Sequence, residues 1–439
     1  MRKSLLSLMA GLTLLLVLLS SVVSAKTVIE VWGIPADDPG KNFLASDFNA
    51  IQDEYEIKVV SGAFGFAESP EKLMTAVAAG TAPPVVLLDR MTVADWAARG
   101  ALMPLDAIAE RANIKRSDFV DAVWEACMFN GKLYALPSHF NLTASYVWNK
   151  DMYAAAGLNP EVAPQTWDEW LEVTRKTTLR DHNGQVIQSG FQFGYHALLY
   201  LLSWQNGGVY SPDPYTVTVN MKENVEAMDM VLALYEAVGG RDAYDVFDAG
   251  TVTATGQDKF SGGVAAATRM GTWHFEMLER YAPDVNCGID SMPIPQGGTR
   301  ANILGGRSMV IMTGTTGKEL EGAIEFVTWV AKQGGLTVWR GGRHLPARVE
   351  DFEKLMAGDP EVWDLSPLSE RYRALVRKQL EDVPNGRNRP INPVNAYLYD
   401  MLIRAWDNVT YGKMSSQAAM DEVQTQVQRA LDRFWSTQR

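Results

Sequence analysis

Cysteine and histidine are both scarce in this chain. Two cysteines, Cys127 and Cys287, stand among 439 residues. They are too few and too far apart for a cysteine-based metal site, and whether they pair or stay as buried thiols is open at this level. The five histidines, at 139, 182, 196, 274 and 344, include no pair at the i, i+4 spacing that sets two imidazoles on one helix face. Also missing are a G-x-S-x-G nucleophile elbow, an H-E-x-x-H motif and a P-loop. Gly-Gly pairs at 207–208, 262–263, 305–306 and 341–342 lack G-x-G-x-x-G spacing, so they read as turns and close backbone approaches. Positive charge is short as well: the formal net charge is −12, and −14 without residues 1–25, whose only charges are Arg2 and Lys3. Such a surface disfavours nucleic acid and anionic membrane. Past residue 25 no apolar run reaches spanning length.

What remains is a large globular chain. Its 47% hydrophobic and 10% aromatic content excludes disorder, and its length is enough for two or three domains. Met1 to Ala25 has a charged start, an apolar stretch from Leu5 to Val23 and a small-residue Val23-Ser24-Ala25 end, the three parts of a secretory signal. Cleavage is expected after Ala25. Ser20, Ser21 and Ser24 weaken the run where an uncleaved anchor would stay apolar, and no cysteine for lipidation follows.

The mature chain opens on alternation. Thr27 to Trp32 and Glu56 to Val60 read as strands, with a helix bearing Phe43, Phe48 and Ile51 between them. Ser69-Pro70 starts a helix facing Leu73, Met74 and Val77 inward, ended by Gly80. Val85 to Leu88 is an apolar strand that delivers Asp89 and Arg90. Alternation of strand and helix predicts a mostly parallel, doubly wound sheet, with ligands beyond the carboxyl ends of its strands.

The densest signal runs from Phe129 to Leu171. Asn130-Gly131 is a turn, Lys132 to Leu136 a strand stopped at Pro137, Asn141 to Trp148 an extended run, and Asp151 to Ala156 a helix closed by Gly157. Thr166-Trp167-Asp168-Glu169 is a capping box. Further on, helices are expected over much of 191–238, over a Leu320 to Val330 stripe stopped at Gly334-Gly335, and over stripes at 397–406 and 423–434.

The pieces NGKLYALP, VWNKDMYAAAGL and PQTWDEW, in that order, resemble the extracellular solute-binding proteins of ABC importers, in the sugar-binding, maltose-binding-protein-like branch. The Ala98–Asp106 segment, Gln205-Asn206-Gly207-Gly208, the Phe260–Trp273 segment and the Gly341–Arg348 turn extend the similarity over nearly all of 27–435. Trp148 and Thr268 depart from the residues usual in that pattern. The resemblance implies an α/β periplasmic-binding-protein fold of type II, with two lobes that are each a mixed sheet flanked by helices and a ligand cleft between. The expected division is 26–140 with 290–315 as lobe 1, and 141–289 with 316–439 as lobe 2, with crossings near 140, 290 and 315. It further implies a periplasmic, monomeric protein that needs no cofactor or metal and performs no catalysis, and that delivers a sugar or oligosaccharide to membrane permease subunits. An exported glycosidase and a binder of a non-sugar ligand such as a glycerophosphodiester are the alternatives.

Thirteen tryptophans are the informative excess. A pyranose offers an apolar face to aromatic rings and a rim of hydroxyls to Asp, Asn, Arg and His. Trp167, Trp170, Trp329, Trp406 and Trp435 fall on helical stripes or caps and read as core, whereas Trp32, Trp204 and Trp273 follow strands or sit by glycines. With the resemblance, the expected ligand residues are Trp32, Asp89, Arg90, His139, Asn141, His196, Trp204, Asn206, Trp273, Gly305, Arg307, Arg343, His344, Asn395 and Tyr397.

Overall fold

A computed structural model describes residues 26–34, 39–60, 70–194, 197–250, 258–365 and 368–437. The segment read as a secretory signal, Ser69 and His196 lie outside the described residues.

The first sheet has five strands in the order Tyr55–Val59, Thr27–Trp32, Val85–Asp89, Arg307–Ile311, Leu136–Pro137. The first three run parallel, but Arg307–Ile311 is antiparallel to both of its neighbours. Pro137 therefore sits on an edge strand, where its missing N–H costs no ladder bond. The second sheet, Ala267–Met270, Ser145–Asn149, Cys287–Ser291, is antiparallel throughout. The expectation of a mostly parallel arrangement thus holds for three strands of the first sheet, with one further parallel pair, Asn302–Gly305 and Gly386–Arg387. Strand and helix do alternate after Asn149, but the returning strands lie antiparallel to Ser145–Asn149 instead of completing right-handed crossovers.

Period-two alternation gives the second sheet two buried faces. Val147 and Ile289 cluster with Phe275, Leu278, Tyr372 and Val376, while Tyr146 and Trp148 join Trp170, Phe191 and the helices Leu198–Gln205 and Lys222–Val238. Trp148 sits opposite Gly288 in the ladder. A Cβ on Gly288 would come within 2.2 Å of the indole, so the large ring is matched by a glycine across the strand. The capping box at Thr166 forms, Thr166 Oγ1 accepting from Glu169 N at 3.2 Å.

The longest helix, Gly317–Gly342, covers the first sheet rather than the second. Phe326 and Trp329 meet Phe48 of the Pro39–Ile51 helix edge-on at 5.3 and 5.6 Å. Assigning everything after 315 to the second lobe therefore does not follow the packing. Nor does the helix stop at Gly334-Gly335. A Cβ on Gly334 would lie 2.8 Å from Leu44, and one on Gly335 3.2 Å from Pro346. These glycines allow close packing, and the helix ends only at Arg343, whose φ is 56°. On Pro39–Ile51 the inward residues are Leu44, Ala45 and Phe48, while Ile51 is exposed, as is Met74 on Pro70–Ala78.

A small sheet joins the lobes, in the order Leu345–Pro346, His139–Leu142, Asn302–Gly305, Gly386–Arg387. The returning crossing is at 302–306, not at 290 or 315: Cys287–Ser291 is still in the second sheet and Arg307–Ile311 already in the first. Among the described residues no helix is long and apolar enough to cross a membrane.

Candidate binding site between the lobes

Three chain segments meet where the joining sheet leaves the first lobe. On His139–Leu142, His139 is fully buried and its Nδ1 lies 2.7 Å from Ser138 Oγ. Asn141 Oδ1 lies 3.0 Å from His344 Nδ1 and accepts from Thr272 Oγ1 at 3.3 Å. The rings continue outward: His139 to His344 at 4.7 Å, His344 to Trp273 at 6.5 Å in a stacked pose, Trp273 to His274 at 4.7 Å. Trp273 is half-buried at the start of His274–Tyr281. Gly271 allows this, since a Cβ there would enter the indole at 2.1 Å. The result is a row of flat rings edged by an amide and a hydroxyl.

Charge sits beside that row. Asp89 ends its strand, accepts from Met91 N at 3.0 Å and takes Arg389 Nη2 on both oxygens, at 2.8 and 3.1 Å. Burial pushes the Asp89 carboxyl up, but Arg389, the Met91 N–H and Arg307 together hold it below the usual carboxylate range. Burial likewise opposes the charge on Arg389, and Asp89 and Tyr399 more than restore it. The field of Arg389 reaches Tyr200, which stacks on Tyr399 at 6.4 Å and lies 5.9 Å from Trp204. The ion pair thus joins a first-lobe strand end to aromatic residues of the second core. Arg307 Nη1 donates to Gly33 O at 2.5 Å. Burial drives the His274 imidazole down to about 4, so it is neutral at physiological pH.

The expected ligand residues fall into two groups. Asp89, His139, Asn141, Trp273, Arg307 and His344 come together. Trp32, half-buried with Lys72 Nζ 5.3 Å above its ring, ends the neighbouring parallel strand. The others make contacts within the protein. Arg90 donates to carbonyls of His139, Gly305 and Arg307. Gly305 allows Thr143 to approach, where a Cβ would meet its methyl at 2.6 Å. Arg343 bonds Trp339 O and Arg340 O and so caps its own helix. Asn206 Nδ2 donates to Glu223 O and Glu226 Oε2, and Tyr397 Oη donates to Gln426 Oε1. Trp204 packs in the second core, and Asn395 Nδ2 donates to Met91 O at 3.0 Å, buttressing the turn after Asp89. Sequence reasoning missed Arg389, Thr272 and Ser138. The only signal for Arg389 was a polar, proline-interrupted segment, R-N-R-P-I-N-P at 387–393, where an extended chain is expected. Both cysteines are free and buried, with Cys127 Sγ 3.3 Å from Ser308 Oγ. Among the described residues no group of three metal-ligating side chains gathers.

Known proteins share this fold. The family model for bacterial extracellular solute-binding proteins matches residues 44–346, well over half of the chain. The sn-glycerol-3-phosphate-binding periplasmic protein UgpB of Salmonella typhimurium is 23% identical over 429 residues, 93% of this chain and 94% of its own. Among solved structures, CpMnBP1 with mannobiose bound superposes with a TM-score of 0.77 at 22% identity, over 91% of this chain and 99% of that one. UgpB from Mycobacterium tuberculosis with glycerophosphocholine gives 0.73 at 20% identity, over 93% and 99%. The match of the family model, on a two-lobed α/β chain whose ring-lined seam lies between the lobes, shows that the protein belongs to the bacterial extracellular solute-binding family.

Proposed function

We propose that this chain is the capture component of an ABC-type carbohydrate importer. It takes a sugar or oligosaccharide between its lobes and hands it, unaltered, to membrane permease subunits driven by a separate ATPase. The observation that carries the reading is the His139–His344–Trp273–His274 row beside Asn141 and Thr272. Rings suit the C–H face of a pyranose, and the amide and hydroxyl suit its rim. The state of the charges favours a neutral ligand. Arg90 and Arg307 donate to backbone carbonyls, and Arg389 is already matched by Asp89. A phosphodiester would have to displace that carboxylate. The ionised, ion-paired Asp89 is also poorly placed to act as a general acid, which supports binding without turnover.

In this reading residues 1–25 direct export and are removed after Ala25, and the mature protein works as a periplasmic monomer. Closure is favoured by the ligand because only the closed state lets both lobes touch it. Calorimetry against mono- and oligosaccharides, sn-glycerol-3-phosphate and glycerophosphocholine tests the proposal. Saturable binding of a sugar with no new reducing ends on incubation supports it. Binding of a phosphate ester alone, or hydrolysis of glycosides, overturns it.

A further inference from the structure

We infer that Arg90 is a positioning residue of the hinge: one buried guanidinium fixes the points at which two crossing strands leave the first lobe. Arg90 follows Asp89 at the end of the third parallel strand and is only 4% exposed. Each side-chain acceptor it meets among the described residues is a backbone carbonyl. Nη1 donates to His139 O at 2.6 Å and to Arg307 O at 3.3 Å, and Nη2 donates to Gly305 O. Its own backbone N–H donates to Gly306 O at 3.2 Å.

Those carbonyls belong to two bends. At the first, the chain passes from Leu136–Pro137 in the first sheet to His139–Leu142 in the joining sheet. At the second, it passes from Asn302–Gly305 in the joining sheet to Arg307–Ile311 in the first. Gly306 is the corner of the second bend, with φ 124°. A Cβ there would stand 2.9 Å from both Arg90 terminal nitrogens and from Phe140 Cα. The glycine and the guanidinium thus fit one another. A buried cation without a carboxylate is costly, and charge-assisted bonds to several carbonyls offset that cost. Only the planar fork of arginine reaches acceptors on two strands at once; a lysine ammonium is a point donor.

The mechanical consequence is specific. His139, Gly305 and Arg307 are tied to the first lobe, so lobe motion bends the strands beyond the clamp, on the Asn141–Thr143 side. The guanidinium holds the base of the ring row in register while doing no ligand recognition itself.

Ligand-free protein tests this, so the result is independent of which solute binds. Hydrogen exchange and X-ray scattering would be compared for wild type, Arg90→Lys and Arg90→Met. The expected result is exchange at least about 10-fold faster at 138–143 and 302–307 in Arg90→Met, since bonds to a charged group are being lost. A larger radius of gyration should accompany it, with Arg90→Lys in between and exchange at 222–238 unchanged. Wild-type exchange and scattering in both variants would overturn the inference. So would loosening spread equally to 222–238, or failure of both variants to fold, since either marks a general core residue.

Discussion

Asp89 and Arg389 are the pair on which residue-scale behaviour turns. Side-chain exposure is 14% and 11%, so removing one partner strands a buried charge. Arg389→Met should destabilise by about 3–5 kcal/mol, against less than about 1 kcal/mol for an exposed pair. Urea denaturation checks it. The sign of the pH dependence follows from the depressed Asp89 carboxyl. Its stabilisation is fully present above the unfolded value, near 3.8, and is lost as pH falls through the lower folded value. The gap between wild type and Asp89→Asn should therefore be constant from pH 7 to about 5 and close in strongly acid solution; a gap that grows on acidification would contradict this. At Trp273, truncation to alanine should weaken sugar binding about 10-fold or more while leaving the melting temperature near wild type, because the half-buried ring contributes mainly stacking. Calorimetry and a thermal melt decide it together.

The two thiols behave as buried groups. Burial pushes Cys127 up to about 11 despite Arg90 and Ser308, and also raises Cys287. Native protein should resist alkylation at pH 8 while unfolded protein takes up two labels, as mass spectrometry would read.

At the scale of elements, the Gly317–Gly342 helix inverts the usual effect of glycine. Replacing a helical glycine by alanine normally stabilises by about 1 kcal/mol. At Gly322 a Cβ would lie 2.5 Å from Tyr55 Cδ1 and 2.9 Å from Ile29 Cδ1, both in the first core. Overpacking of about 1–3 kcal/mol should win, so Gly322→Ala is expected to lower the melting temperature. This helix also shows where sequence reading reached its limit. Its apolar stripe at 323, 327 and 330 was legible, because burial imposes the 3.6-residue period. The role of Gly334-Gly335 was not, because a helix-ending glycine and a close-packing glycine are the same letter. Leu44 and Pro346, far away in sequence, decide between them.

For the whole molecule, capture of a solute links two bodies, and stability should report it. Ligand at 100 times its dissociation constant should stabilise the native state by about 2.7 kcal/mol, raising the melting temperature, with a smaller radius of gyration on closure. A rise in melting temperature without compaction would separate binding from lobe movement.

Local chemistry set a good deal in advance. The strand from Thr27 to Trp32, the box at Thr166, the stop at Gly157 and the stripe at Val423, Val427 and Leu431 depend on neighbours a few residues away, so residue order was enough to reveal them. The family-like order of motifs added two α/β lobes around a cleft. Tertiary structure alone decided which polar residues meet. Arg90, expected at the ligand, turned to three carbonyls from distant strands. Arg389, unremarked in its proline-rich segment, took the carboxylate of Asp89, 300 positions earlier in the chain. A side chain's partner is set by which strand ends converge in space, and that convergence is fixed by the packing of whole sheets and helices.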